Sequence, residues 1–254
     1  MPEFPSLDEA KEVILEIGRR MYQKGFVAAN DGNISCKLGP KTILATPTGV
    51  SKGFMTSEML VVMSLDGEVL EKNEKYRPSS EVKMHIRAYQ ENPNIMAVTH
   101  AHPPVATAFA IAGIPLDRPI LTEALMSLGS VPVAKYATPG TAEVPASIAP
   151  FCREYNAVLL ANHGALTWGG SLMQAFYRLE SVEYYATLMM YTEKVLGKAN
   201  CLSEAQVAPL MDIRANLGVM GGGKPAYVRQ ETNDRDVIPV SGALQEEKAS
   251  EKKK

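Results

Sequence analysis

Apolar residues Leu7, Ala10, Ile14, Ile17 and Met21 recur at steps of 3, 4, 3 and 4. That spacing predicts an amphipathic helix packed on a sheet. Ser6 and Glu9 form an S-x-x-E capping box ahead of it, and it should stop near Lys24-Gly25. The polar stretch 30–37 (NDGNISCK) reads as a turn followed by strand-like residues. Two apolar runs follow, 41–45 and 59–65, the second closed by the hairpin-type turn Asp66-Gly67. A second helix opens around 77–81 with Ser79 or Ser80 as its cap and Glu81 in its first turn. Val82, His85, Ile86 and Tyr89 lie at helical spacing, and Asn92-Pro93 ends it. A short strand at 95–100, a small-residue helix at 105–112 and two strands at 157–161 and 165–168 come next. A long helix from 171 to about 196 and a shorter one at 203–217, with Ser203 and Gln206 as its capping box, complete the pattern.

Composition narrows the class. An apolar share of 46% and a charged share of 21% in 254 residues are those of a soluble globular protein. No break in composition divides residues 1–217, which predicts a single domain there. Residues 218–254 read as a flexible tail: a Gly221-Gly222-Gly223 run, then a final fourteen residues with four Lys and three Glu. A net charge of −2 argues against a nucleic-acid binder working by bulk charge. Cys36, Cys152 and Cys201 are too few and scattered for a disulfide framework. No run reaches the ~18 apolar residues of a membrane span. The acidic N-terminus lacks a signal-peptide core, so a cytoplasmic location is expected.

The chain has four histidines, and two form His100-Ala101-His102. At a strand end, residues i and i+2 face the same side, roughly 6.5–7 Å apart, so both imidazoles can reach one metal. His163 sits where a buried strand meets a Gly turn. Three neutral imidazoles suit zinc with an open coordination position. Each piece has a plainer reading. An isolated H-x-H is more often no metal site, and a His beside Gly is mostly a turn residue. Glu81 and Ser79-Ser80 read equally as helix-start residues. Asn30-Asp31-Gly32-Asn33 and Thr48-Gly49 are turns that can also offer N–H groups to an oxyanion. His85, on a helix face, reads as filler.

Taken together the motifs NDGNIS, ATPTGVSKG, RPSSEVKMH, VTHAHPPVATAFA, PVAKYATPGT and LLANHGALTWG resemble, in order, those of the class II aldolase/adducin family and its L-fuculose-1-phosphate aldolase branch. The resemblance implies an α/β fold, a three-layer α/β/α sandwich around a largely antiparallel sheet. It also implies a homotetramer with active sites at subunit boundaries. It makes His100, His102 and His163 ligands of Zn2+ and Glu81 the fourth ligand in the resting enzyme. Glu81 would then act as proton donor and acceptor. Gly32, Asn33, Thr48, Gly49, Ser79 and Ser80 would hold the phosphate of a phosphosugar substrate. The implied reaction is reversible cleavage of L-fuculose 1-phosphate or a close analogue to dihydroxyacetone phosphate and an aldehyde, L-lactaldehyde for fuculose 1-phosphate. The alternatives within the family are a 5-deoxyribulose-phosphate aldolase, a methylthioribulose-1-phosphate dehydratase and L-ribulose-5-phosphate 4-epimerase. The epimerases carry Asp at the Glu81 position and an Asp-Tyr element in the loop after H-x-H, and residues 116–130 here have neither. No Tyr lies between Gln90 and Tyr136 to serve the aldehyde side, and Glu123 and Tyr227 are the substitutes. A non-catalytic adducin-like scaffold would lack the histidine set.

Overall fold

The computed structural model describes residues 4–71, 75–219 and 221–226. Helix α1 (Leu7–Gln23) starts as its capping box predicts. Ser6 Oγ accepts the Glu9 N–H, and the Glu9 carboxylate accepts the Ser6 N–H. Its Ala10, Ile14, Ile17 and Met21 are all fully buried.

Among the described residues seven strands form one sheet. They are β1 (Asn33–Lys37), β2 (Thr42–Ala45), β3 (Val61–Ser64), β4 (Ala97–Ala101), β5 (Val133–Ala134), β6 (Ala157–Leu160) and β7 (Gly164–Gly169), in the order β3-β2-β1-β4-β7-β6-β5. Every pairing is antiparallel except β5 with β6. β4 is central, with Asn33 of β1 opposite His100 on one side and Leu166 of β7 opposite it on the other.

Alternation along the strands feeds two cores, because successive side chains point to opposite faces. Ile34, Cys36, Leu44, Ala97, Ala101, Leu159 and Ala165 face α1, α3 (Pro104–Ala112) and α6 (Leu172–Met190). Ile43, Ala45, Val98, Val158, Leu166 and Trp168 face α2 (Val82–Glu91) and α5 (Glu143–Ile148). The chain is thus a three-layer α/β/α sandwich around a largely antiparallel sheet. His100 shares the parity of Val98, so it projects toward the α2 side.

Two short helices, α4 (Thr122–Ser127) and α5, and the two-residue β5 were not predicted. They are too short to carry a period. The long helix ends at Met190 and continues as one π-helical turn, Tyr191–Val195. Helix α7 (Glu204–Asn216) keeps the predicted Ser203–Gln206 box. The start of the expected tail is bonded to the body. Ser130 N–H donates to Gly222 O, Gly222 N–H to Glu154 O, and the Arg214 guanidinium to Gly221 O. Tyr227 and the charged end of the tail lie outside the described residues.

Candidate active site

His100, at the end of β4, is fully buried. Its Nδ1 lies 2.9 Å from the Ala165 carbonyl of the neighbouring strand. A carbonyl only accepts, so Nδ1 carries the proton and Nε2 presents a bare lone pair. His102, two residues on, brings its Nε2 to 3.2 Å from that lone pair. His163 joins them from the turn between β6 and β7, where Asn162 takes a left-handed conformation, φ 58°. The next residue must be small. A Cβ on Gly164 would stand 2.5 Å from Ala101 O and from the His102 ring. The ligand nitrogens of the three histidines all lie within 4.8 Å of one another.

This donor set fits a divalent metal. Two imidazole nitrogens 3.2 Å apart need a shared proton or a shared cation between them. Burial pushes the pKa values of His100 and His102 below the ordinary imidazole range, which keeps both rings in the neutral form that binds zinc. The three histidines can hold a metal ion.

Glu81 meets this cluster from the opposite side. The sequence placed it in the first turn of α2, but it is the residue before the helix, and neither Ser79 nor Ser80 caps α2. Instead Ser79 Oγ accepts the Glu81 N–H at 3.3 Å. The Glu81 carboxylate faces the cluster: Oε1 is 3.0 Å from His163 Nε2, and Oε2 is 3.6 Å from His100 Nε2. Asn33 Nδ2 donates to Oε2 at 2.7 Å. Burial alone would raise the Glu81 pKa. The hydrogen bonds from His163 and the Asn33 amide act against it and hold the carboxyl below the usual carboxylate range.

A cleft of about 310 Å³ opens beside these groups. Glu81, His102 and His163 line it, together with Gly32, Thr48, Gly49, Ser79 and Ser80. Five of the six residues expected at the phosphate therefore wall one cavity. The sixth, Asn33, is buried behind it and spends its amide on Glu81 and Ser79. Gly32 has φ 75°, and a Cβ there would meet Val27 at 2.7 Å and His100 O at 2.9 Å, so only glycine brings that turn to the sheet. Glu123 is not among the lining residues. It is exposed on α4 and accepts from Thr122 Oγ. His85 is buried in α2, with Nδ1 2.8 Å from Ser35 Oγ, in keeping with a filler on the inner helix face.

Sequence reasoning missed Lys52, Pro139 and Gly140, which also line the cleft. Asp31, read there as part of a turn that can offer N–H groups to an oxyanion, sits 3.4 Å from His102 Nδ1 through its Oδ2. A carboxylate in that position orients an imidazole and raises its basicity toward a metal. Replacing Asp31 by Asn is expected to weaken metal binding by about 10–100-fold with the fold intact. Competition against a chromophoric zinc chelator measures this, and an unchanged affinity would detach Asp31 from the site.

Residues 12–190 match the family described as the class II aldolase and adducin N-terminal domain. The chain belongs to this family. It is 33% identical over 188 residues to the 3-oxo-tetronate 4-phosphate decarboxylase of Pectobacterium atrosepticum, covering 72% of this chain and 85% of that protein. It is 32% identical over 174 residues to the L-fuculose phosphate aldolase of Methanococcus maripaludis, covering 68% and 92%. Its fold matches the crystal structure of YgbL from Klebsiella pneumoniae with a TM-score of 0.74 and 32% identity, over 81% of this chain and 99% of that one. Among the described residues, no helix of this class II aldolase family member is long and apolar enough to cross a membrane.

Proposed function

We propose that this chain is a zinc-dependent lyase that breaks the bond between the α- and β-carbons of a phosphorylated ketone and releases dihydroxyacetone phosphate. L-fuculose 1-phosphate or a close analogue is the substrate of the first reading. The observation that carries it is the meeting of the Glu81 carboxylate with His100 and His163 at the end of a cleft walled by three small-residue turns.

His100, His102 and His163 hold the metal, with Glu81 as fourth ligand at rest. When bound, the ion supplies Lewis-acid stabilisation of the negative charge that develops as the bond breaks. The turns at Gly32, Thr48-Gly49 and Ser79-Ser80 bind the phosphate through backbone N–H groups and hydroxyls. That anchoring fixes the ketone and its neighbouring carbon relative to Glu81. In the cleavage direction the carbon next to the ketone keeps the bonding electrons, and Glu81 takes up a proton from solvent and delivers it to that carbon. In the aldol direction Glu81 removes the same proton. Asn33 Nδ2, donating to Oε2, orients the carboxylate and stabilises its ionised form between the two roles. The site is completed in a homotetramer.

Decarboxylation of 3-oxo-tetronate 4-phosphate is a second reading, and it uses the same parts. Loss of CO2 from C1 leaves the electrons on C2, beside the C3 ketone. Protonation of C2 then yields dihydroxyacetone phosphate, the product of the aldol cleavage. Only the departing fragment differs. A departing aldehyde must shed a hydroxyl proton, whereas CO2 needs no such partner. The similarity to the Pectobacterium enzyme supports this second reading.

Both substrates are to be incubated with the zinc-loaded protein, coupling dihydroxyacetone phosphate release to an NADH-dependent reductase. Chelator-sensitive release from L-fuculose 1-phosphate, with lactaldehyde formed, supports the aldolase. Release from 3-oxo-tetronate 4-phosphate with CO2 formed supports the decarboxylase. No dihydroxyacetone phosphate from either, with zinc bound, overturns both.

A further inference from the structure

Lys52 is 1% exposed, yet it lines the cleft. It lies in a 3₁₀ turn, Lys52–Phe54, just beyond the Thr48-Gly49 turn. Its Nζ donates to Asn30 O at 3.0 Å and to Val50 O at 2.6 Å. Those two carbonyls belong to the two chain segments that carry Gly32 and Thr48-Gly49 into the cleft. The ammonium therefore ties the two turns together from beneath.

Two neutral carbonyls do not neutralise a cation. Among the described residues no carboxylate forms an ion pair with Lys52, and Asp31 and Glu81 act on it only at longer range. A buried charge without a counter-ion is costly to a fold, and such groups are normally paired. The cost makes sense where a ligand brings the missing charge. An ammonium has three donors, and two are committed. Burial draws the Lys52 pKa down to about 8, and an anion alongside would restore the charged form.

We infer that Lys52 is the cation that neutralises the substrate phosphate and makes the cleft selective for a phosphorylated ligand. This rests on the reading of the cleft as a phosphosugar site and adds to it a residue outside the backbone and hydroxyl cradle. The phosphate takes no part in bond breaking, but its anchoring positions the ketone. The loss of Lys52 is therefore expected mainly in KM, with a smaller fall in kcat.

The test uses inorganic phosphate as probe, at zinc saturation, on wild type and on the Lys52→Met, Lys52→Gln and Lys52→Arg variants. Met removes charge and donors together, Gln keeps donors without charge, and Arg keeps charge. Calorimetric phosphate affinity is expected to fall about 10–100-fold in the Met and Gln variants, the range of a lost charge-assisted hydrogen bond. Arg is expected to recover most of it. The rise in melting temperature that phosphate gives the wild type should vanish with Met and Gln. KM for whichever substrate is turned over should rise in parallel, with kcat within about threefold of wild type. If either uncharged variant binds phosphate as tightly as wild type, Lys52 is only a tie between turns and the inference falls. If the wild type itself binds no phosphate and turns over no phosphorylated ketone, the reading of the cleft falls with it.

Discussion

Glu81→Gln is expected to lower turnover by about 10²–10⁴-fold, the contribution of a positioned general acid–base, while metal content and melting temperature stay near wild type. Gln matches the shape of Glu, and its side-chain oxygen can still accept from Asn33 Nδ2, which now reaches Oε2 at 2.7 Å. What it cannot do is carry the proton to and from carbon. The three imidazoles remain, so the ion stays. Steady-state kinetics with metal analysis on the same sample makes the comparison. A Glu81→Gln variant with wild-type turnover would remove Glu81 from the chemistry and leave it as a ligand or a helix-start residue.

The opposite pattern is expected at His100. His100→Ala removes a fully buried side chain from the central strand and leaves the Ala165 carbonyl without its 2.9 Å donor. An unsatisfied buried acceptor costs about 1–3 kcal/mol. Urea unfolding should show that loss. Zinc affinity should fall by more than about 100-fold, because even outer partners of a ligand cost 10–100-fold. Turnover should vanish with the metal. Tight zinc binding by His100→Ala would show that the ion sits elsewhere. Together the two variants separate holding the metal from moving the proton.

Much of this was legible in the sequence, and the exceptions have physical causes. Strong periodicity and local capping placed α1, and its box formed as written, because both depend on neighbours within one turn. The i, i+2 spacing of His100 and His102 and the Asn162-His163-Gly164 turn brought three imidazoles together. Backbone geometry does most of that work. Glu81 was recognised, but its place before α2 was not. A serine cap is the local preference, and here the long-range pull of Asn33 and His163 sets the geometry instead. Lys52 stood inside ATPTGVSKG without a role, because nothing in GVSKGFM is periodic. Its burial follows from two carbonyls, one of them 22 positions away. The choice of substrate was legible least of all. The residues proposed to protonate the carbon beside the ketone would serve aldehyde and CO2 departure equally.

The ladder β1–β4–β7 has one more consequence. His100 hangs from its middle strand, whose backbone is bonded on both sides. Amide protons in such a strand exchange with solvent only when the whole molecule unfolds, whereas irregular surface segments exchange through small local openings. The turns at 30–32 and 47–50 lie outside every strand. The end of the site that can hold a metal ion therefore breathes on the slow clock of global unfolding. The end proposed to receive the phosphate breathes on the fast clock of its loops, so on that reading substrate can come and go many times within the lifetime of one bound metal.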